Sequence, residues 1–293
     1  MSPCGGDDRG SNPRRGIMFP EIITFRITSR CNYNCKYCYG PKNIEELPLN
    51  KLKEIFSILS KMGAKAIVLT GGEPLVREDI KDIIKEIRKN NLKIFLDTNG
   101  SLFFKYNHLI DENIDVLGLP IDFVKSSYRD SKQLETVIKI LEYYKNKTKK
   151  PIIRIGTVLT KENSEDIEKI GDLIMKYPID IWKIYEFLPQ NANALINRKE
   201  LEIQKEEFDN ITKIMVDKFS RHFKVAISNR KSRNKAYFFI NPDGNVFMPV
   251  DNGDICKEET IGNIFDKDIL AKWKDVISES NYNQNIQDTF RID

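Results

Sequence analysis

Three cysteines lie close together in one short stretch of this chain. Cys31, Cys35 and Cys38 all fall within residues 30–39, in the run Arg-Cys-Asn-Tyr-Asn-Cys-Lys-Tyr-Cys-Tyr. Cysteine thiolates are the usual ligands of iron–sulfur clusters, and a [4Fe–4S] cluster has four irons to hold. With no fourth cysteine nearby, one iron would keep an open position. A metal site needs such a position if it is to carry out chemistry.

A zinc site is the alternative, because Zn²⁺ is also held by closely spaced cysteines. Zinc requires a fourth ligand, and the remaining cysteines and histidines are all distant along the chain: Cys4, Cys256, His108 and His222. The spacing therefore favours an iron–sulfur cluster over zinc. The sequence assigns no role to Cys4 or Cys256.

Apolar runs and amphipathic stretches alternate before and after the cysteines, and they must position the cysteine loop. Six strands are predicted at residues 22–27, 66–69, 92–96, 116–119, 152–159 and 179–187. Helices are predicted between them at residues 49–62, 78–89, 134–144 and 167–175. Nearly continuous apolar strands separated by amphipathic helices indicate a parallel sheet covered by helices. Reactive groups in such folds collect at the carboxyl ends of the strands, and the cysteine loop follows the first strand.

Two motifs carry a resemblance to a known family. The C-x3-C-x2-C spacing, with Tyr37 before the last cysteine, resembles the signature of the radical S-adenosylmethionine (SAM) superfamily. The run Thr-Gly-Gly-Glu-Pro at residues 70–74 is similar to the Gly-Gly-Glu motif of the same superfamily. The resemblance covers most of residues 20–190 and implies a partial (β/α)6 barrel. It also implies a [4Fe–4S] cluster on the three cysteines, with SAM bound to the free iron and cleaved to a 5′-deoxyadenosyl radical.

The resemblance also implies which residues contact SAM. Glu73 is expected to accept hydrogen bonds from the ammonium group of SAM, while Gly71 and Gly72 allow the backbone to approach a ligand closely. The other predicted cofactor contacts are Tyr37, Thr98, Asn99, Asp122 and Arg154. Turn stabilisation is the alternative role for Thr98, Asn99 and Asp122. Pro120 stands where relatives often carry a serine that helps to hold SAM.

Basic residues later in the chain favour an anionic substrate. Arg154, on a buried strand, needs an anionic partner from SAM, from the substrate or from a structural carboxylate. Lys183 and Tyr185 share one face of the sixth strand and are predicted to contact substrate, although Lys183 could lie outside the barrel. Arg230 and Lys231 begin a basic run with the same predicted role, and a solvated loop is the alternative there.

The last hundred residues are predicted to form a small α+β cap, following a 17–190 core. Helices are predicted at residues 205–220 and 269–277, with strands at 224–227, 237–240 and 245–248, and a hairpin turn at the Pro-Asp-Gly of residues 242–244. The segment 191–293 resembles the SPASM or twitch extension of peptide-modifying radical SAM enzymes. Met248-Pro249 stands where an auxiliary-cluster cysteine is expected, so we predict a cap without a second cluster.

A weaker resemblance connects the chain to viperin-like enzymes, which act on nucleotide triphosphates. It rests on the Trp182-Lys183 pair of the sixth strand and on Arg154 of the fifth. The arginine expected just before the tryptophan is Ile181 here, so the triphosphate site is incomplete.

Composition narrows the protein class. The chain has 293 residues, 40% of them hydrophobic and 31% charged, with a formal net charge of +4. No apolar run reaches the roughly 20 residues that cross a bilayer, and the start of the chain lacks a secretory signal. Clustered cysteines suit a reducing compartment, so we predict a cytoplasmic location. The charge is too mild to indicate nucleic acid, and residues 1–16 are predicted to be a disordered arm.

The sequence therefore predicts a radical SAM enzyme of α/β class that abstracts hydrogen from an anionic, nucleotide or phosphorylated substrate. A flavodoxin or ferredoxin is the implied electron donor. One alternative is a peptide-modifying radical SAM maturase. The other is a non-catalytic binding protein stabilised by metal, against which the Gly-Gly-Glu motif argues, because a structural metal site has no use for a SAM-binding turn.

Overall fold

The computed structural model describes residues 19–124 and 131–290. Its strands are β1 (Ile22–Thr28), β2 (Ala66–Gly71), β3 (Lys93–Asp97), β4 (Val116–Pro120), β5 (Ile152–Leu159), β6 (Ile181–Glu186), β7 (Lys224–Ser228), β8 (Phe239–Ile240), β9 (Asn245–Asp251) and β10 (Cys256–Asn263). Its helices are α1 (Leu49–Lys61), α2 (Ile80–Lys89), α3 (Phe103–Asn113), α4 (Ser131–Tyr144), α5 (Ile167–Ile174), α6 (Asn191–Ile196), α7 (Arg198–Leu201), α8 (Lys205–Phe219), α9 (Arg230–Arg233), α10 (Ile269–Val276) and α11 (Glu279–Phe290).

The predicted partial (β/α)6 barrel is confirmed. Strands β1 to β6 lie side by side in chain order and are parallel, with helices in the connections between them. The described residues form one sheet of ten strands in the order β10-β9-β8-β1-β2-β3-β4-β5-β6-β7. Within the described residues β10 and β7 are its two edges, so the sheet curves without closing.

The outer face of the sheet holds the main hydrophobic core. Successive side chains of a strand point to opposite faces. On β1 the outward positions Ile23, Phe25 and Ile27 have no exposed surface, and they belong to the same core as the apolar residues of the helices. On α2 the isoleucines Ile80, Ile83, Ile84 and Ile87 recur at helical spacing and are all fully buried. This packing fixes the strands, and therefore fixes where the loops at their carboxyl ends stand.

The inner face of the sheet changes character along the strands. Near the amino ends, Ala66, Val68, Phe95 and Val116 form a small apolar cluster of their own. Further along β2, β3 and β5, the inward positions become polar, as at Thr70, Asp97 and Arg154. The apolar cluster fills one end of the barrel interior, and the polar residues surround a cavity at the other end.

The C-terminal residues extend the sheet at both edges. Strand β7 pairs in parallel with β6, and β8 pairs in parallel with β1. The predicted hairpin is confirmed, because β8 and β9 are antiparallel across the Pro-Asp-Gly turn. The division into a 17–190 core and a 191–293 cap stays a prediction. The predicted arm at residues 1–16, including Cys4, lies outside the described residues.

Six helices and strands were not predicted: α3, α6, α7, α9, α11 and β10. Helices α6, α7 and α9 are too short to show a helical period. Strand β10 is a partly exposed edge strand with charged residues at 257–259, so it lacks the apolar alternation by which a strand is recognised. Helix α3 buries Phe103, Tyr106 and Ile110, but its aromatic and asparagine residues are poor helix formers. Helix α11 contains five asparagine and glutamine residues, which obscure its pattern. Within the described residues, no helix combines the length and apolar character that a membrane crossing requires.

Candidate active site

A cavity of about 330 Å³ opens at the carboxyl ends of the strands. Eleven of the predicted site residues line it: Cys31, Cys35, Tyr37, Cys38, Gly72, Thr98, Asn99, Asp122, Arg154, Lys183 and Tyr185. Four others do not: Gly71, Glu73, Arg230 and Lys231. Tyr185 and Cys31, more than 150 positions apart in sequence, thus line the same cavity. This agrees with the expectation that reactive groups collect at the carboxyl ends of parallel strands.

The cysteine loop presents three free thiols to this cavity. Cys31 is exposed, and Cys35 and Cys38 are partly buried. Among the described residues, no group of three or more histidine, cysteine or acidic side chains is placed to hold a single metal ion. The donor set, three thiols lining the same cavity, fits an iron–sulfur cluster that takes one thiolate for each of three irons.

Amide side chains from the α6–α7 segment hold the cysteine loop in place. Asn193 Nδ2 donates to the Cys35 carbonyl oxygen and to Asn34 Oδ1, both at 2.9 Å. Asn197 Nδ2 donates to the Lys36 carbonyl oxygen at 3.2 Å, and Asn191 Nδ2 donates to the carbonyl oxygen of Tyr39. These bonds satisfy backbone acceptors in a loop without regular structure, and so restrict where its thiols can lie.

The two glycines of the Gly-Gly-Glu motif pack against the protein's own backbone. Gly71 has φ = 142°, and a Cβ atom on it would overlap the Thr28 carbonyl oxygen. A Cβ atom on Gly72 would overlap the carbonyl oxygen of Arg30, to which Glu73 N donates at 2.9 Å. The absence of side chains therefore lets the end of β2 meet the start of the cysteine loop, and Gly72 still lines the cavity.

Glu73 is fully buried and bonded within the protein. Its carboxylate accepts hydrogen bonds from Leu75 N at 3.0 Å, Thr98 Oγ1 at 2.8 Å and Asn99 N at 2.7 Å. Burial raises the pKa of Glu73 above its ordinary value, although these three hydrogen bonds act to lower it. The side chain therefore connects the β2 loop to the β3 loop. Asn99, held in this way, donates to Asn32 Oδ1 at 2.8 Å beside the cysteines.

Glu73→Gln is expected to lower the free energy of unfolding by about 1–3 kcal/mol. A glutamine cannot accept all three bonds, because its Nε2 is a donor. It would face either Asn99 N or the two donors Leu75 N and Thr98 Oγ1. Urea unfolding of both proteins measures the difference. Glu78→Gln, at an exposed position near the same loop, is the control and should leave the value unchanged. Equal loss in both variants would contradict the assigned role of Glu73.

Asp122 and Tyr37 form a second pair inside the cavity. Tyr37 Oη donates to Asp122 Oδ2 at 2.6 Å, and Val158 N donates to Asp122 Oδ1 at 2.7 Å. Burial raises the pKa of Asp122 from 3.8 to about 7, although the Val158 bond favours the charged form. The pair ties the cysteine loop to the end of β4, which is where the sequence placed a cofactor contact.

The raised pKa of Asp122 predicts a pH dependence of stability. Asp122 keeps its proton to a higher pH in the folded protein than in the unfolded chain. Between about pH 4 and about pH 7 it therefore reduces stability as pH rises, by at most about 1.4 kcal/mol per pH unit. Asp122→Asn should remove this contribution, which urea unfolding across the window measures. The exposed Asp217→Asn should keep the wild-type slope, and an equal slope in Asp122→Asn would contradict the assignment.

Arg154 and Asp97 form an ion pair between β5 and β3. Arg154 Nη2 contacts Asp97 Oδ1, and the arginine side chain is only 5% exposed. Burial disfavours the charge of Arg154, but Asp97 outweighs that effect and raises the pKa of Arg154. Gly118 on β4 lies between them, and a Cβ atom there would overlap Asp97. Of the three partners weighed for Arg154, the structure provides a carboxylate of the protein.

The sixth strand and the basic run contribute differently. Lys183 is buried, with Nζ 5.1 Å from the centre of the Tyr185 ring. Arg230 lies outside the cavity lining and pairs with Asp251 at 2.7 Å and Glu202 at 3.2 Å. Lys231 is exposed. Arg233, three residues later, is the member of the run that lines the cavity, where its Nη2 donates to the Glu186 carbonyl oxygen.

Sequence reasoning missed several cavity residues. They are Arg26, Tyr39, Asp97, Arg233, Phe239 and Phe247, among others. The two-residue period was the available signal for both Arg26 and Asp97, since Arg26 occupies an inward position of a predicted strand and Asp97 directly follows the predicted strand at 92–96. No local signal marks Phe239 and Phe247, because their strands reach the cavity only by pairing beside β1.

Comparison with known proteins gives a consistent family. The Radical SAM superfamily matches residues 25–174. The chain is 31% identical over 259 residues to a probable GTP 3′,8-cyclase of Methanococcus aeolicus, covering 82% of this chain and 81% of that protein. It is 30% identical over 206 residues to a GTP 3′,8-cyclase of Clostridium perfringens, covering 64% of this chain. That match spans 62% of the clostridial protein, which is less than two thirds of its length.

Solved structures share the fold. Streptococcus suis SuiB bound to S-adenosylmethionine has a TM-score of 0.67 at 18% identity, covering 93% of this chain and 68% of SuiB. The enzyme anSMEcpe with bound AdoMet and a Cp18Cys peptide has a TM-score of 0.65 at 18% identity, covering 90% of this chain and 84% of that one.

Proposed function

This chain belongs to the radical SAM superfamily, and on that premise we propose that it acts on an anionic small molecule, with a nucleotide as the first candidate. It is an enzyme that uses a [4Fe–4S] cluster and SAM. When bound, these groups supply the radical that removes a hydrogen atom from the substrate. The protein's part is to bind the substrate, orient it and exclude water.

The cofactors have proposed places in the cavity. Cys31, Cys35 and Cys38 would hold the cluster. The loops after β2, β3 and β4 would hold SAM. Their cavity-lining residues are Gly72, Thr98, Asn99 and Asp122. Asn99 and Asp122 are hydrogen-bonded to the cysteine loop, so these loops lie next to the place of the cluster. Pro120 supplies no side-chain donor there. Glu73 would act by fixing the Thr98–Asn99 turn, since its oxygens already accept three bonds.

The basic lining of the cavity is the observation that supports an anionic substrate. Four basic side chains from four different elements line it: Arg26, Arg154, Lys183 and Arg233. All four are less than 10% exposed. Burying positive charge is costly unless anions compensate it, and the acidic residues in the lining are Asp97, Asp122 and Glu186. Glu258, outside the lining, pairs with Arg26. The excess of positive charge in the cavity therefore depends on Asp122, which its raised pKa of about 7 leaves partly protonated near neutral pH.

The relatives favour a nucleotide within that class. Two of them carry the name GTP 3′,8-cyclase, which is the name of an enzyme acting on a nucleoside triphosphate. The two solved structures, one of which holds a peptide, are below 20% identical to this chain and share the fold alone. A peptide therefore stays the alternative substrate, to be included in any screen.

The test is a substrate screen on the anaerobically reconstituted enzyme. With SAM and dithionite present, GTP, ATP, CTP and UTP are each added, and 5′-deoxyadenosine and nucleotide loss are measured by chromatography. We expect one nucleotide to increase 5′-deoxyadenosine formation and to be consumed in step with it. A library of short peptides forms the second arm. Stimulation by a peptide and by no nucleotide would overturn the proposal.

The electron donor and the cellular location complete the proposal. A flavodoxin or ferredoxin would reduce the cluster in the cytoplasm. Replacing dithionite with a reduced flavodoxin in the same assay tests the donor, and 5′-deoxyadenosine should still form.

A further inference from the structure

Arg26 occupies an inward position of β1, five residues before the first cysteine. The alternation of the strand sends Thr24 and Arg26 to the cavity, while Phe25 and Ile27 face the helices. The Arg26 side chain is 4% exposed. A charged group so deeply placed must have its hydrogen-bonding capacity accounted for.

In the part of the chain that the structure describes, only one nitrogen of the Arg26 guanidinium has acceptors. Its Nη1 donates to Glu258 Oε1 at 2.6 Å and to Asn241 Oδ1 at 3.3 Å. Across residues 19–124 and 131–290, the structure shows no acceptor for Nε or Nη2. These two nitrogens form the edge of the guanidinium that binds two oxygens side by side. Since Arg26 lines the cavity, that edge is left for a ligand.

Other arginines of this chain show what the same edge does. Arg30 uses Nε and Nη2 to hold the two oxygens of Glu46 at 2.8 and 2.9 Å. Arg77 uses the same two nitrogens to hold Asp79, both at 2.8 Å. In each case the edge is filled by an oxyanion of the protein, and at Arg26 it is not.

Aromatic rings hold the Arg26 guanidinium in position. Its central carbon lies 4.6 Å from the centre of the Phe247 ring, 5.5 Å from Tyr39 and 5.6 Å from Phe239. All three rings line the cavity. Ring faces attract the cation and restrict its movement, and the low polarity they create strengthens its attraction for an anion.

Glu258 holds Arg26 through Nη1 alone and shares that oxygen with two neutral amides. Its Oε1 also accepts from Gln190 Nε2 at 2.7 Å and from Asn191 Nδ2 at 3.1 Å. A carboxylate only accepts, so the Gln190 amide must turn its nitrogen to Glu258. Its Oε1 is then buried and without a donor among the described residues. The Gln190 side chain is therefore fixed by its bond to Glu258, and its oxygen has almost no accessible surface through which a ligand could reach it.

We propose that Arg26 binds an oxyanion group of the substrate through Nε and Nη2. This rests on the proposed function, because the substrate of the enzyme is the ligand of the cavity. It adds the chemical group that is recognised and the residue that recognises it. The oxyanion is a phosphate or a carboxylate, since both offer two oxygens at the required spacing.

Binding of small probes to the reconstituted enzyme tests this without turnover. Inorganic phosphate and lactate, a carboxylate with an adjacent hydroxyl, are titrated by calorimetry into wild type, Arg26→Lys and Arg198→Lys. Lysine keeps the charge but loses the two-oxygen edge. We expect one probe to bind wild type and to bind Arg26→Lys about tenfold more weakly. The control Arg198→Lys should match wild type, since Arg198 lies outside the cavity lining and pairs with Glu202.

The identity of the probe that binds separates phosphate from carboxylate. Equal binding by wild type and Arg26→Lys, or no binding of either probe to wild type, would overturn the proposal. If Arg26→Lys does not fold, Glu258→Gln decides, because removing the competing carboxylate should tighten binding of the same probe. Unchanged affinity in Glu258→Gln would then overturn it.

The outcome is separable from that of the substrate screen. Probe binding that depends on Arg26, without turnover of any nucleotide, would keep this site and reject the nucleotide substrate. Turnover of a nucleotide at the same KM by wild type and Arg26→Lys would keep the nucleotide as substrate and reject the oxyanion site at Arg26.

Discussion

Replacing Cys35 with alanine is expected to abolish cluster binding and 5′-deoxyadenosine formation together. Three thiols line the cavity, and each would hold one iron, so loss of one leaves a second iron without a protein ligand. The measurement is iron and sulfide content after anaerobic reconstitution, with the visible absorption of the cluster, followed by the SAM cleavage assay. We expect cleavage to fall below detection, and Cys31→Ala and Cys38→Ala to behave in the same way.

Cys256→Ala is the matched control for the cysteine variants. Cys256 is buried beside β9, outside the cavity lining, and burial raises the pKa of its thiol to about 11. Its removal should leave iron content and SAM cleavage unchanged. A Cys35→Ala protein that retains a full [4Fe–4S] cluster, or a Cys256→Ala protein that loses it, would refute the assignment of the ligands.

Asp97→Asn is expected to lower the free energy of unfolding by about 3–5 kcal/mol, because it leaves the buried Arg154 charge without its partner. Arg154→Met should cost less, since the Asp97 side chain is 36% exposed and can be hydrated. Urea unfolding of the two variants gives both values. Catalysis should fall in each, because the pair lines the cavity and connects the ends of β3 and β5.

The double variant distinguishes an ion pair from two independent contacts. Asp97→Asn combined with Arg154→Met removes both charges, so it should be more stable than Asp97→Asn alone. Asp209→Asn, which breaks the exposed pair with Lys205, is the control and should leave stability nearly unchanged. Additive losses in the double variant would show that the two side chains are not coupled.

The fold and the cofactor side of the cavity could be predicted, because the sequence patterns that indicate them are local. The cysteines of residues 31–38 lie within one loop, and the Gly-Gly-Glu run follows its strand directly. The strands of the barrel repeat an apolar pattern that parallel sheets require. Each of these features is complete within a few neighbouring residues, so it can be recognised from the sequence without knowing which distant residues are in contact.

The substrate side of the cavity depended on pairings between distant strands. Arg154 was recognised as a buried charge, but its partner Asp97 lies 57 residues away on β3. The basic run was recognised, but only the packing of α9 decided that Arg233 lines the cavity and Arg230 binds surface carboxylates. A buried charge in the sequence indicates that an oppositely charged partner is needed. The pairing and register of the strands decide which residue that partner is.

The sequence by itself therefore determined the family, the barrel and the loop that holds the cluster. The tertiary structure alone decided that β8 and β9 lie beside β1, and so brought Phe247 to Arg26 across more than 200 residues. The physical reason is that side-chain alternation fixes which face of a strand a residue occupies, whereas neighbouring strands are chosen by the packing of the whole sheet.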